Sequence, residues 1–328
     1  MADFSKITLN GVDYELSDDK AKLYISKLKM TVGDVKAVST KAEMTDTSKV
    51  YFYTGSESGM TKGAWYYAVG DEFVAGETLD PNFAKYGLAG IHNSIYRGKF
   101  LGTSFTAEQS AAIRAGTFDD LYIGDYWTIG GVNYRIADFD YFFNKGDTAC
   151  TTHHIVVVPD SVLRTNVQMN TTNTTEGGYI GSDMYKTTLA VDRDTITSAF
   201  GGTGHILNHR EYIQNAVTNG IPSAGAWYSV AIELMSEEMV YGSPQWKPMN
   251  RGTADCNIHN VNYRQLSLFR LDPTKIVAMN GSDRKWYWLR DPASAANFCH
   301  VNYAGPCDTY GASLSTSGSG SRPFAVIY

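Results

Sequence analysis

The sequence predicts a mixed α+β fold, with one long C-terminal domain behind a small β-rich N-terminal region. Two observations support this prediction. The 328 residues include 22 Tyr, 14 Phe, 6 Trp and 31 Gly, and a chain rich in aromatic and turn-forming residues favours strands joined by many turns. Against that background a few segments, the clearest at residues 105–121, carry the apolar spacing and end signals of a helix.

Residues 1–48 predict a hairpin followed by a helix. In ITLNGVDYEL, Asn10 and Gly11 separate two alternating stretches and suit the positive φ angles of a type I′ turn. The next segment, SDDKAKLYISKLK, opens with a capping Ser17 and two aspartates and repeats apolar residues at helical spacing. A piece this small cannot form a core alone, which favours a role in attachment or oligomerisation.

Residues 49–89 predict a small three-stranded meander. The segments VYFYTG, GAWYYAVG and EFVAG are apolar or aromatic runs separated by glycine-rich turns. Glycine spacing and Pro81 place a domain boundary between Glu77 and Gly90.

Residues 90–328 predict the long α+β domain. In its first helix Thr106 is the cap, Ile113 faces inward and Gly116 ends the helix. Two strands joined at Gly130 and Gly131 follow, and then HHIVVVPD predicts a strand buried on both faces. The stretch TITSAFGGTGHILNHREYIQNAV favours helix on either side of its glycines. Further strands are predicted in WYSVAIELMSEEMVYG, LSLFRLDP, WYWLR and PFAVIY.

Charge and hydropathy exclude several classes of partner. The net charge of −6 disfavours nucleic acid and anionic membranes, since both attract basic proteins. No segment approaches the ~20 apolar residues that span a bilayer, so we expect no membrane insertion. The N-terminus lacks the apolar core of a secretory signal, and we therefore expect synthesis in the cytoplasm.

The cysteines and histidines form no recognisable catalytic or metal motif. Four cysteines (Cys150, Cys256, Cys299 and Cys307) are too scattered for a disulfide scaffold or a CxxC zinc site. A metal role for His153 and His154, or for His205 and His209 four residues apart on a helix, lacks a carboxylate in the usual order. Oxygen ligands for calcium are available in loops but match no DxDxDG spacing; they are Asp140, Asp147, Glu176 and Asp183. We therefore predict no catalytic residue, metal or cofactor, and whether Cys299 and Cys307 pair stays open.

A series of sequence blocks carries a family likeness. TFDDLYIGDYWTIGGVNYRIADFDYF, GDTACTTHHIVVVPD, GGYIGSDMY, ELMSEEMVYG, YWLRD and GSRPF occur in this order within residues 96–324. They resemble phage structural proteins with a C-type-lectin-like C-terminal domain. The closing W-LR…RP-F frame also resembles variable proteins diversified by retroelements, of the major tropism determinant type, whose fold includes the formylglycine-generating enzymes. The N-terminal blocks ITLNGVDYELSDDKAK and YFYTGSESGMTKGAWYYAVG resemble the heads of tail-fibre or head-fibre proteins of phages that infect gut bacteria.

The resemblance implies a fixed frame around a displayed binding surface in a non-enzymatic virion adhesin. The frame comprises Trp288, Leu289, Arg290, Arg322, Pro323 and Phe324, with the arginines bonded to backbone or to a carboxylate such as Asp291. The variable ligand-binding surface comprises Trp286, Tyr287, Asn297, Phe298, His300, Asn302, Tyr303, Asp308, Thr309 and Tyr310. Expected partners are a host cell-surface protein or glycan and, through the N-terminal region, other virion proteins. We expect a homotrimer in the virion, because weak single sites gain from multivalency.

Residue usage agrees with diversification by adenine mutagenesis. A randomised AAY codon cannot encode Glu, Gln, Lys, Met or Trp, and none of the five occurs from Asp291 to Tyr328. The sequence departs from the family where Gly-Val-Arg-Pro becomes Gly320-Ser321-Arg322-Pro323 and where SLSTSGSG is inserted.

Two alternative functions stay open at this level. In the first, the chain is a capsid or tail decoration protein that cements neighbouring subunits and buries residues 297–310 against them. In the second, it is an enzyme on the formylglycine-generating fold, which requires Cys299 and Cys307 to line one deep pocket.

Overall fold

A computed structural model describes residues 6–9, 12–15, 35–47, 49–62, 64–69, 72–75, 88–223, 225–248, 264–315 and 318–328. The chain divides into two compact units, Met1–Gly90 and Ile91–Tyr328. The helix predicted after the first hairpin lies outside the described residues.

The first unit contains a hairpin and a four-stranded sheet. Strands β1 (Lys6–Leu9) and β2 (Val12–Glu15) pair antiparallel with Leu9 opposite Val12, which confirms the predicted hairpin. The sheet has the order β3-β4-β5-β6, with β3 at Val35–Val38, β4 at Val50–Tyr53, β5 at Trp65–Val69 and β6 at Glu72–Ala75.

The three predicted meander strands are confirmed as β4, β5 and β6, which pair antiparallel in chain order. The sheet also has a fourth strand that the sequence did not indicate, because β3 pairs parallel to β4. A division of this unit at residue 48 therefore separates two paired strands. A 3₁₀ turn at Lys41–Glu43 connects them.

The second unit mixes strands with short helices. The helices are α1 (Ala107–Ala115), α2 (Gly178–Gly181), α3 (Leu189–Ala199), α4 (Glu237–Tyr241) and α5 (Ser267–Leu271), with a π-helical turn at Met184–Thr188 and 3₁₀ turns at Thr203–His205 and Pro273–Ile276. The strands are β7 (Phe100–Gly102), β8 (Tyr126–Ile129), β9 (Val132–Phe139), β10 (Ile155–Pro159), β11 (Arg164–Thr165), β12 (His209–Ile213), β13 (Val217–Thr218), β14 (Ile221–Pro222), β15 (Ala226–Val230), β16 (Ile232–Leu234), β17 (Ala278–Asn280), β18 (Asp283–Pro292), β19 (Asn297–Val301), β20 (Cys307–Gly311), β21 (Ser319–Ser321) and β22 (Pro323–Ile327).

Two large sheets organise this unit. One has the order β16-β22-β10-β9-β8-β7, and the other has the order β11-β21-β18-β19-β20 with β17 paired to β18. Strands β10 and β22 are adjacent and buried along their whole length. Arg322 is the single residue between β21 and β22, where the chain passes from one sheet to the other.

Several predicted elements of this unit are confirmed. Helix α1 begins at the capping box formed by Thr106 and Gln109 and ends at Gly116, which adopts a left-handed φ of 70°. Gly130 and Gly131, both with positive φ, join β8 to β9, as the turn chemistry indicated. The apolar run at Ile155–Pro159 is the buried strand β10.

Two predicted elements are wrong, and a third is wrong in part: the strand predicted in WYSVAIELMSEEMVYG ends at Leu234, and Glu237–Tyr241 forms the helix α4. HREYI was expected to be helical, yet it forms β12, in which buried and partly buried residues alternate and pair with β15. Because His209 lies on this strand, His205 and His209 do not share one face of a helix. LSLFRLDP was expected to be a strand, yet α5 occupies it. The periodicity of a segment as short as SLFRL cannot distinguish a buried strand from a helical turn. Here the Asp138 carboxylate accepts the Ser267 amide at 3.0 Å.

Candidate functional site

Three adjacent strands bring the aromatic residues of the predicted binding surface onto one face. Trp288 of β18 lies opposite His300 of β19, and Phe298 of β19 lies opposite Tyr310 of β20. Because side chains alternate along a strand, Trp286 faces the same side as Trp288. Phe298 is fully buried, whereas its cross-strand neighbour Tyr310, on β20, is exposed to solvent.

The predicted frame residues are all buried. The indole of Trp288 donates to the Val167 carbonyl at 2.9 Å. The guanidinium of Arg322 donates to backbone carbonyls, at 2.8 Å for Pro159 and at 3.0 Å for Lys275 and Ile276. The frame therefore rests on buried aromatic packing and on a buried arginine that binds two separate backbone segments, at Pro159 and at residues 275–276.

The predicted contact between a frame arginine and Asp291 is wrong. Arg290 instead pairs with the buried carboxylate of Glu211 on β12. Asp291 accepts a bond from the Lys247 ammonium at 3.1 Å and from the Glu237 amide at 2.6 Å. The sequence order placed Arg290 beside Asp291, but neighbouring residues of a strand point to opposite faces.

Several of the predicted ligand-binding residues are inaccessible, so their assignment to the surface is corrected. Tyr287 and Phe298 have no exposed area; Tyr287 donates its hydroxyl to the Ile276 carbonyl at 2.9 Å, and Phe298 packs in the core with Trp288. Trp286 and His300 are also buried. The resemblance implied that NFCHV belongs to a displayed surface, yet this segment is β19, and β18 and β20 cover it on both edges.

The exposed part of the predicted surface is the β19–β20 loop and the outer edge of β20. Tyr303 and Tyr310 are 58% and 45% exposed. The loop between the strands is closed by backbone bonds of 2.8 Å from Asn302 to Pro306 and from Gly305 to Asn302. Asn302 also accepts the Ala304 amide through its side chain at 3.1 Å. The loop thus presents Tyr303 from an ordered backbone.

Three other predicted residues are half-buried; Asp308 and Thr309 lie on β20 near this loop, and Asn297 lies at the opposite end of the hairpin. On the other side of the loop is an open hollow of about 760 Å³. Ala304, Gly305 and Pro306 line one wall of the hollow, and the 3₁₀ turn Pro273–Ile276 lines another.

Trp246 belongs to this surface although sequence reasoning missed it. It is 55% exposed, and its indole donates to the Cys307 carbonyl of β20 at 3.1 Å. The available signal was a tryptophan between Pro244 and Pro248, in a polar stretch with neither helical nor strand periodicity. An exposed tryptophan in such a segment is unusual for a packing residue.

Glu237 holds the Trp246 segment in place. Its buried carboxylate accepts the backbone amides of Gln245, Trp246 and Lys247 at 2.9–3.0 Å, together with the thiol of Cys307 at 3.1 Å. One carboxylate thus binds the segment that carries Trp246 to the start of β20.

We expect Glu237→Gln to release this segment. The NH₂ group of the glutamine side chain cannot accept hydrogen bonds from the backbone amides that the carboxylate accepts. The free energy of unfolding should therefore fall by about 2 kcal/mol. The emission of Trp246 should shift to longer wavelength in the Glu237→Gln protein relative to wild type. Glu72→Gln is the matched control, because Glu72 is exposed on β6. An unchanged emission maximum would contradict the role of Glu237.

His300 is a buried side chain without polar contacts. Neither ring nitrogen has a hydrogen-bond partner within the described part of the chain. Burial lowers the pKa of His300 to about 4, although the Asp308 carboxylate opposite raises it in part. The imidazole is therefore neutral at pH 7. Each buried polar atom left unpaired costs about 1–3 kcal/mol, so this histidine weakens the fold that contains it.

We expect His300→Phe to raise the free energy of unfolding, by about 1 kcal/mol, because it keeps an aromatic ring and removes two unpaired nitrogens. His154 is the matched control: it is equally buried, but it contacts the Thr152 carbonyl at 2.8 Å and accepts the Phe142 amide at 3.0 Å. His154→Phe should therefore destabilise the protein. Urea unfolding of the two variants and the wild type measures both effects, and the interpretation fails if the two substitutions change stability in the same direction.

The cysteines lie in surroundings that favour the protonated thiol. Burial raises the pKa of Cys299 well above its usual value. The contact with Cys299 lowers the pKa of Cys307, but burial and the Glu237 carboxylate raise it overall. Thiols of this kind are poor nucleophiles at neutral pH.

Three of the four candidate calcium ligands are bound to protein groups. Asp140 contacts His153 at 2.7 Å, Asp147 pairs with Arg210 at 2.7 Å, and Asp183 accepts the Thr171 amide at 2.9 Å. Among the described residues, no group of three or more His, Cys, Asp or Glu is placed to hold a metal ion.

Comparison with known proteins adds no relative: no family model matches the chain, and neither a curated protein nor a solved structure matches it. Within the described ranges, no helix is both long and apolar enough to cross a membrane.

Proposed function

We propose that the chain is a phage virion protein, a tail-fibre or head-fibre adhesin, that binds a host-cell-surface ligand through the exposed aromatic residues around the β19–β20 hairpin, which are Trp246, Tyr303 and Tyr310. The observation that carries the proposal is the concentration of exposed aromatic residues there. The described large apolar side chains that remain exposed are Tyr96, Phe100, Val191, Ile221, Trp246, Tyr303 and Tyr310, and three of these seven lie around the β19–β20 hairpin. Rigid aromatic side chains give large contact area at low entropic cost.

The frame supports a binding role for this face. The ordered loop, the Glu237 contacts and the buried Arg322 hold the aromatic residues on a fixed scaffold, which lowers the ordering cost of association. In this proposal the second unit is a C-type-lectin-like domain, and its resemblance to retroelement-diversified proteins accounts for the irregular sequence of residues 297–310. The first unit attaches the protein to other virion proteins, and a homotrimer made in the bacterial cytoplasm multiplies weak single sites.

Labelling of intact particles tests this function against that of a decoration protein. A Fab fragment whose binding to the purified full chain is lost on Tyr303→Ala should label the outer tip of the virion and block adsorption to the host. A cement protein buries this face between subunits, so particles that contain the chain yet bind no Fab would contradict the proposal. Sequencing of the flanking DNA adds an independent check, since diversification requires a reverse-transcriptase gene and an adenine-rich near-copy of the 3′ end.

A further inference from the structure

His300 lies inside a group of aromatic rings at the edge of the binding face. Its ring centroid is 4.8 Å from that of Trp286 and 5.1 Å from that of Tyr310. Trp286 and Tyr310 stack on each other with centroids 5.7 Å apart and planes at 28°. The three rings thus surround a common point, and Tyr310 is the member that reaches solvent.

Within the described residues, neither imidazole nitrogen of His300 forms a hydrogen bond that would stabilise the fold. Native proteins pair most buried polar side-chain atoms, so a buried group with two unpaired nitrogens needs an explanation. Packing does not supply one, because Phe or Leu would fill the same place without the desolvation cost. A ligand that forms the missing hydrogen bonds would explain why the two nitrogens are unpaired.

Tyr310, which stacks on His300 at 33° to the imidazole, is 45% exposed. It sits on β20, whose partner on its inner side is β19. A change in the side-chain rotamer of Tyr310 leaves the backbone ladder between the two strands intact. Such rotamer changes are common where proteins bind their partners.

We propose that the place covered by Tyr310 is a subsite for one neutral sugar ring of a host-surface glycan. A neutral imidazole offers one hydrogen-bond donor and one acceptor, and two neighbouring sugar hydroxyl groups offer the complementary pair. The C–H face of the sugar would stack on Trp286, and Asp308, which lies opposite His300, would accept from a further hydroxyl. The inference rests on the proposed function, because it names the ligand class of the same surface.

The charges around His300 favour a neutral ligand in this proposal. The imidazole carries no charge at pH 7, the nearest carboxylate is that of Asp308, and the whole chain has a net charge of −6. An acidic sugar would meet the anionic Asp308 carboxylate there. Neutral hexoses, 6-deoxyhexoses and N-acetylhexosamines are therefore preferred over sialic acid.

Saturation-transfer NMR on the full chain tests the subsite directly. The probes are glucose, galactose, mannose, fucose, N-acetylglucosamine and N-acetylneuraminic acid at millimolar concentration. We expect saturation of the ring C–H protons of at least one neutral sugar, and none for the acidic sugar. His300→Phe should weaken that binding by about tenfold or more, since two hydrogen bonds are lost, whereas Phe100→Ala, at an exposed aromatic residue of β7, should leave it unchanged.

Each outcome decides the inference. Wild-type protein that shows no saturation of any neutral sugar, or His300→Phe protein that binds the sugar as tightly as wild type, would overturn it. If the full chain binds cells and the preferred sugar does not compete with this binding, the subsite is rejected and the adhesin function stands. If the chain binds the sugar but no cells, the adhesin function is rejected and the subsite stands.

Discussion

Replacement of Arg322 by leucine is expected to lower the free energy of unfolding by about 4 kcal/mol. Arg322 is 1% exposed, and its guanidinium donates to the carbonyls of Pro159, Lys275 and Ile276 and to the hydroxyl of Tyr287. Hydrogen bonds to a charged group are stronger than neutral ones, and leucine leaves three carbonyls buried without this donor.

The position of Arg322 explains why the effect should be large. It joins β22 of one sheet to β10, to the 3₁₀ turn at Pro273–Ile276 and to β18 of the other sheet. The free energy of unfolding of Arg322→Lys should lie between those of wild type and Arg322→Leu, because an ammonium group cannot reach all these acceptors at once. Arg284→Leu is the control, since Arg284 is exposed on β18. Urea unfolding measures the series, and an Arg322→Leu protein as stable as Arg284→Leu would contradict this account of the frame.

Replacement of Glu211 by glutamine is expected to cost about 3–5 kcal/mol, because it leaves Arg290 buried without a counter-charge. The guanidinium of Arg290 is already incompletely paired, because its Nη1 atom has no hydrogen-bond partner among the described residues. The carboxylate of Glu211 also contacts His209 at 2.9 Å. The control is the more exposed ion pair that Arg210 of the same strand forms with Asp147, and Asp147→Asn should change stability little or not at all.

The same pair predicts how stability depends on pH. Burial alone would raise the pKa of Glu211, but Arg290 and His209 lower it to about 2, from 4.5 in the unfolded chain. A carboxylate with a depressed folded-state pKa stabilises the fold above pH 4.5, and this contribution, on the order of 3 kcal/mol, is lost as the pH falls towards 2. Wild-type stability should therefore fall through this window more steeply than that of Glu211→Gln. Parallel slopes below pH 4.5 would show that the pair does not titrate in this way.

Local signals predicted elements well where a turn or a cap fixed the chain. Gly130 and Gly131 identified the β8–β9 hairpin, and Thr106 with Gly116 identified both ends of α1, because these residues act within a few positions of themselves. HREYI failed for the opposite reason: its strand form depends on pairing with β15, far along the chain, which overrides weak local preference.

The sequence indicated the strands of the proposed site but not the burial of their side chains. The residues of β18 and β19 that carry the face could be located from the aromatic lead and from the closing frame. Burial of Tyr287, Phe298 and His300 could not, because it depends on strands and core residues from distant parts of the sequence. Trp246 reaches the face through Glu237, and no sequence pattern links these two residues to β20.

Binding of the labelled full chain to a panel of bacteria tests the central claim, that the face around the β19–β20 hairpin binds the host. The variant combines Trp246→Ala, Tyr303→Ala and Tyr310→Ala. The control combines Phe100→Ala, Val191→Ala and Ile221→Ala, which remove side chains of similar exposure elsewhere on the same unit. Flow cytometry should show saturable binding of wild type and control to at least one strain, and binding by the variant weakened by about tenfold or more. Variant binding equal to wild type, or no saturable binding of wild type to any strain, would contradict the account.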